Sequence, residues 1–407
     1  MVLFGAATLA YGLDYLFNLA AGRMLDPAGF GVVVGLGAVA QIMTVASRVV
    51  LAIVTRYVSG FQATSDATGR EVSFFRAAMR VGASLGGVAM ILLVLLAKPL
   101  SQFWRMPSSA PVLALAAAAF MMGIRPVMEG VLQGARRFAA AGMVQLCQAI
   151  LRLSLGVVLI AAGLGAFGAM LALPVSTSAA FLFGLVLLGR PFVRPGAVEH
   201  GVAVADAFQY STVTALGLIG FALLINMDAL LVKRFFGPAE AGYYGAAVTL
   251  GKVIQFLPIA ITQVLFAEAA RRRAAQQDPM RVLLPVMLIV AVLCGLIALA
   301  FALFPTTIVS VVFGADYRLE GKVLATLGLA MTLFALVSVW LHYYLSTDRV
   351  GYVYLVLVGV AVQVLLMILF HDALWHLPAI MSANALWLVL AGGVMLSRGG
   401  QVQRVVP

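Results

Sequence analysis

The side chains able to do chemistry in this chain are few, and they stand inside long apolar runs. The segment QLCQAILR places Gln145, Gln148 and Arg152 at i, i+3 and i+7, one polar stripe along an otherwise apolar helix. Arg125 and Glu129 stand four residues apart in the preceding run, and Arg48 lies in an earlier one. A guanidinium presents paired, charge-assisted donors to phosphate oxygens, so three arginines in one half of the chain suit a diphosphate and would repel a cation. Structural roles stand beside that reading. Arg152 and the two glutamines either line a wet cavity or form a buried interhelical hydrogen-bond network. Arg125 and Glu129 can neutralise each other on one helix, and Arg48 can snorkel to a nearby membrane surface. A second set is formed by Asp14, Asn226, Asp228 and Lys252. Here Asp228 and Lys252 make a structural pair, or an aspartate carries a coupling proton or sodium ion.

The elements that must position these groups follow from composition. Of the 407 residues, 63% are hydrophobic and only 10% are charged, too few polar side chains to cover a water-soluble surface. The chain is expected to be an all-α polytopic membrane protein. Apolar runs long enough to cross hydrocarbon as helices recur twelve times, at roughly 2–20, 30–54, 79–97, 111–132, 139–163, 166–189, 209–232, 243–267, 282–304, 322–345, 350–370 and 376–397. The first run carries Asp14 and no basic leader, and reads as a retained helix. A charge at bilayer depth costs at least about 2.5 to 3.5 kcal/mol, so every ionisable group named above needs a partner or a wet cavity. With the N-terminus inside, fifteen of the 26 lysines and arginines fall in inner loops and seven in outer ones, which puts both termini in the cytoplasm. The net charge of +11 is then an orientation signal and an attraction to anionic headgroups, and no basic stripe points to nucleic acid. Cys147 and Cys294 lie in apolar runs without disulfide or metal spacing.

The chain also repeats itself. RMLDPAGFG (23–31) and RFFGPAEAG (234–242) share Arg, Pro, Ala and Gly at an offset of 211, and the same offset aligns PVLA at 111 with KVLA at 322. Two six-helix bundles of equal orientation follow, at 1–190 and 209–397, related as parallel repeats about a pseudo-twofold axis along the membrane normal. A linker at 191–208 and a tail at 398–407 complete the expected organisation. The repeated Pro-Ala turn itself reads as a tight hairpin at the membrane surface, architecture rather than site.

Four stretches resemble a known family: AGRMLDPAGFG (21–31), EGVLQGARRFAAAGMVQ (129–145), NMDALLVKRFFGPAEAGYYGAA (226–247) with LGKVIQFLPIAITQVLFAEAARR (250–272), and VVFGADY (311–317). They are similar to the polysaccharide-export and O-antigen flippases of the MOP exporter superfamily, relatives of the MATE exporters and the lipid II flippase. The resemblance implies two V-shaped bundles around a central cavity, working by alternating access on a polyprenyl-diphosphate-linked glycan in the bacterial inner membrane. Implied partners are that lipid-linked glycan, membrane lipids and other polysaccharide-assembly proteins. A MATE-like cation or drug antiporter is the second reading, with an acidic and aromatic cavity instead. A polytopic polymerase or ligase is the third, and the longest outer connection, around 305–321, leaves little room for its acceptor chemistry. No GxxxxGK[ST] loop, HExxH or nucleophile elbow occurs, so no enzyme chemistry and no bound cofactor is expected. Proton or sodium coupling stays open.

Overall fold

The computed structural model describes residues 2–61, 67–193, 212–274, 280–314, 317–347 and 349–402. The expected linker at 191–208 lies outside these residues beyond 193, the expected tail at 398–407 lies outside them beyond 402, and the chain divides into two compact units, Met1–Ala215 and Leu216–Pro407.

The first unit contains α1 (Val2–Met24), α2 (Pro27–Phe61), α3 (Ala67–Phe103), α4 (Ala110–Gly134), α5 (Phe138–Leu159), α6 (Gly165–Leu188) and a single turn, α7 (Arg190–Val193). A π-helical turn, Ile160–Leu164, joins α5 to α6, where Gly163 takes a left-handed φ of 86°. Here α4 is central, packed against α2, α3 and α6, while α5 lies between α1 and α6. Lipid-embedded helices lack a hydrophobic drive to associate, so close backbone approach through small residues holds them together. Gly82 and Gly86 of α3 meet Gly123 of α4 so closely that a Cβ on Gly123 would lie 2.3 Å from the Gly82 carbonyl oxygen. Gly130 and Gly134 of α4 likewise admit Val54 and Val58 of α2. The seam between α1 and α5 runs parallel: Ala6 sits against Gly142 near one end and Phe17 against Gly156 nearer the other.

The second unit contains all but the first turn of α8 (Thr212–Leu224), then α9 (Met227–Phe235), α10 (Pro238–Ala274), α11 (Met280–Leu303), α12 (Pro305–Phe313), α13 (Gly321–Ser346), α14 (Gly351–Leu369) and α15 (His376–Val402). Its central helix is α13, packed on α10, α11 and α15. It begins 211 residues after α4, the central helix of the first unit. The repeated turns coincide in the same way. α1 ends at Met24 and α2 starts at Pro27; α9 ends at Phe235 and α10 starts at Pro238. Proline suits the first helical position, where its missing N–H costs no hydrogen bond. A carboxylate then caps each turn. Asp26 Oδ1 accepts from the Gly29 N–H at 3.3 Å, and Glu240 Oε2 accepts from the Gly237 N–H at 2.8 Å.

Large apolar faces stay uncovered within each unit, among them Val88, Leu92 and Leu95 on α3 and Leu288, Val292 and Leu296 on α11. Such continuous outward apolar surface is stable only against hydrocarbon, and the chain is a multi-pass membrane protein. Among the described residues, eight helices are long and apolar enough to cross a membrane, one of them the continuous 138–188 stretch that holds two expected spans. A ninth arises if α8 and α9 count as one. Over the expected spans 2–20 and 243–267 the chain is also helical, as α1 and α10.

Two local features differ from the sequence reading. The seventh expected span, 209–232, is not one straight helix: it breaks at Ile225 and Asn226, and α8 and α9 meet at 40°. Spans two and three are longer than their apolar cores, because α2 continues to Phe61 and α3 starts at Ala67. Helix does not stop where apolarity does. Tyr57 stacks on Phe74 at 5.6 Å between these extensions, packing that holds them together beyond the apolar stretch.

Candidate functional site

In the first unit the polar stripe of α5 bonds to both neighbouring helices. Gln148 Oε1 accepts from Arg125 of α4, and Gln148 Nε2 donates to Thr177 Oγ1 of α6 at 3.3 Å. Arg125 also donates to Glu129 Oε1 at 2.6 Å, the ion pair one helical turn along α4 that the spacing offered. One turn beyond Gln148, Arg152 Nη1 donates to Asp14 Oδ1 of α1 at 3.0 Å, and its guanidinium lies over the Phe17 ring, 4.7 Å from the centroid. Arg48 reaches the same helix, one turn earlier. Its Nη2 donates to the Tyr11 hydroxyl at 2.8 Å. Gln145, one turn before Gln148 on the same helix, is half-buried.

Three arginines therefore bond to two adjoining stretches, residues 11–14 of α1 and 148–152 of α5, each one helical turn long. Two of the three are already matched by a carboxylate. Their hydrogen bonding is nonetheless incomplete. The Nε atoms of both Arg125 and Arg152 are buried and have no partner. A buried, unpaired N–H of a charged group is costly, and it is available to an acceptor that arrives later.

The second unit holds the other set. The break after α8 leaves Asn226 as N-cap of α9, and its Nδ2 donates back to the Ala222 carbonyl at 2.8 Å. Asp228, fully buried, accepts a 2.8 Å hydrogen bond from the Tyr244 hydroxyl of α10. Lys252, the partner suggested by the sequence, lies two turns further along α10 and is half-buried. The Leu224 carbonyl, freed by the break, accepts from Gln363 Nε2 of α14 at 2.8 Å. Gln363 Oε1 accepts in turn from Asn384 of α15 at 3.0 Å, and Asn384 also donates to the Gly359 carbonyl. Two acceptors remain unmatched here, Asn226 Oδ1 and Asp228 Oδ1, both buried. The arginine cluster of the first unit thus keeps unused donors, and the α8–α9 break of the second unused acceptors.

Sequence reasoning missed Tyr11, Phe17, Thr177, Tyr244, Gln363 and Asn384. Gln363 and Asn384 carried a usable signal, since each is an amide well inside an apolar run. The aromatic and hydroxyl partners carried none.

Each unit is a helical bundle built on one central helix, α4 in the first and α13 in the second. Solved structures of the MOP superfamily share this fold. An inward-facing multidrug resistance MATE family transporter of the MOP superfamily matches with a TM-score of 0.78 over 96% of both chains, at 14% identity. The lipid II flippase MurJ in an inward closed conformation matches at 0.76 over 97% of this chain and 87% of its own, at 11% identity. A MOP superfamily transporter from Pyrococcus furiosus, described as having a binding pocket of reverse polarity, matches at 0.59 over 97% and 94%, at 16% identity. In sequence, residues 20–319 match the family described as polysaccharide biosynthesis protein, and the chain belongs to it. An uncharacterized protein of Mycobacterium tuberculosis, Rv1510, is 26% identical over 351 residues, 82% of this chain and 76% of that relative.

Proposed function

We propose that the chain is a flippase that carries a polyprenyl-diphosphate-linked oligosaccharide across the bacterial inner membrane by alternating access, with both termini in the cytoplasm. The observation that carries this reading is the pair of unpartnered, buried Nε–H donors on Arg125 and Arg152, next to Arg48, in a chain of a polysaccharide biosynthesis family. Surplus guanidinium donors suit phosphate oxygens, and they disfavour the organic cation of the drug-antiporter reading. The work done is transport, not catalysis. Asn226 and Asp228 supply the coupling step, their two unmatched oxygens accepting a proton or sodium ion.

The reading is tested by flipping of a fluorescent lipid-linked glycan in proteoliposomes. Arg152→Ala loses a charge-assisted contact worth roughly 1.5 to 3 kcal/mol, so flipping falls on the order of tenfold or more. Arg152→Lys keeps the charge, loses the planar fork and falls less. In the same vesicles Asp228→Asn removes the response to an imposed proton or sodium gradient. Wild-type flipping by Arg152→Ala at unchanged expression and thermal stability would place the phosphate elsewhere, and export of an organic cation by the same vesicles would favour the antiporter.

A further inference from the structure

The two matched arginines of the first unit differ in a way that bears on how a ligand is taken up. Arg125 and Glu129 belong to one helix, the Glu129 side chain is only 9% exposed, and Gln148 fixes the guanidinium from the other side. That pair has no slack. Arg152 and Asp14 belong to different helices, 138 residues apart in sequence, and their side chains are 20% and 34% exposed. A ligand can therefore reach this pair without unfolding the bundle. Arg152 would not swing free if its carboxylate left, because the Phe17 ring holds the guanidinium face at 4.7 Å and Phe17 itself is buried against Gly156.

We infer that Asp14 is a built-in competitor for Arg152: the incoming phosphate displaces the Asp14 carboxylate, and that exchange both selects the ligand and releases α1 from α5. The inference rests on the reading of Arg152 as a phosphate ligand. Its chemistry is an exchange of ion partners, with no bond made or broken. A diphosphate brings more negative charge than a carboxylate and can use the unpartnered Nε–H as well as the Nη1–H, so it wins the exchange. A ligand with a single carboxylate or a neutral headgroup offers no advantage over Asp14 and is excluded. Asp14 is thus a specificity-determining residue. The same exchange removes the Arg152–Asp14 ion pair from the α1–α5 seam described above, leaving its apolar contacts at Gly142 and Gly156. Uptake of ligand and loosening of α1 become a single event.

The test is equilibrium binding of farnesyl diphosphate to the full-length protein in detergent, with farnesol as the neutral-headgroup control. Asp14→Asn keeps the shape and removes the competitor, so farnesyl diphosphate binds roughly two- to fivefold tighter while farnesol is unchanged, the range expected for a partly exposed charge pair. Arg152→Ala weakens diphosphate binding, and adding Asp14→Asn to it brings no gain, because the residue competed for is gone. A purely structural Asp14 would lower thermal stability without raising affinity. Weakened binding by Arg152→Ala together with unchanged or weaker binding by Asp14→Asn overturns the competition and leaves Arg152 as ligand. Unchanged binding by Arg152→Ala overturns the reading beneath both. Should Asp14→Asn not fold, spin labels at the exposed Leu16 and Ser154 read the exchange with the ion pair intact. Farnesyl diphosphate lengthens or broadens their distance distribution and farnesol does not; identical distributions overturn the inference.

Discussion

Gln363 holds open a break that an apolar residue would leave unsatisfied, and replacing it by leucine tests that role. Leucine is close in size, so packing is nearly conserved and the change is chiefly polar. Two hydrogen bonds go: the 2.8 Å donation to the Leu224 carbonyl and the 3.0 Å acceptance from Asn384. Asn384 keeps its bond to the Gly359 carbonyl through one Nδ2 hydrogen and loses the partner of the other, and the buried Leu224 carbonyl is left with no side-chain donor. An orphaned buried acceptor costs about 1 to 3 kcal/mol. Side-chain hydrogen bonds inside membrane proteins average only about 0.6 kcal/mol. The net loss is therefore about 1 to 2 kcal/mol, a fall of the melting temperature of roughly 2 to 8 °C for a unit of this size. Thermal unfolding in detergent followed by circular dichroism measures it. Asn384→Leu should cost a similar amount, and the double variant should cost less than the two summed, because each removes the other's partner. Additive costs, or a Gln363→Leu protein as stable as wild type, would show that the break is held by helix packing and not by this amide pair.

The crossing of α3 and α4 gives a second test. Gly123→Ala sets a Cβ against the Gly82 carbonyl oxygen and destabilises by about 1 to 3 kcal/mol in thermal unfolding, whereas Gly87→Ala, with open space around it, is neutral or slightly stabilising. For orientation, reporter fusions after residues 60 and 275 should report cytoplasm and fusions after 105 and 315 the outside; the reversed pattern would refute the inside count of basic residues.

Much of the architecture was legible because it depends on local rules. Helix starts at Pro27, Pro238, Ala110 and Gly321 keep the 211-residue offset that the sequence shows, and at Pro27 and Pro238 the proline suits a first helical position, which needs no N–H. The break at Ile225 and Asn226 was not legible, because the residues there are apolar enough to read as one span. What sustains it is Gln363, far along the chain. The polar stripe at Gln148 and Arg152 was visible from its period, yet its partners were not. Asp14 and Tyr11 belong to a helix that α5 meets only after the bundle closes, and periodicity within one helix says nothing about which helix packs on it. The sequence weighed Asp14 as an ion carrier and Arg152 as a ligand separately; their contact at 3.0 Å makes them one unit.

The two Pro-Ala turns divide a single device between them. A full capping box uses the N-cap side chain on the N3 amide and the N3 side chain on the N-cap amide. The first turn keeps one half, Asp26 with Gly29; the second keeps the other, Gly237 with Glu240. Each glycine stands where the other copy has its acid. Each glycine leaves the carboxylate room: a Cβ on Gly29 would lie 2.7 Å from Asp26 Oδ1, and one on Gly237 would lie 3.2 Å from Glu240 Oε2, in both cases the end of a side chain that can shift. Converting either turn into its counterpart takes a paired exchange, whereas completing the box takes one substitution in each, Gly29→Glu or Gly237→Asp.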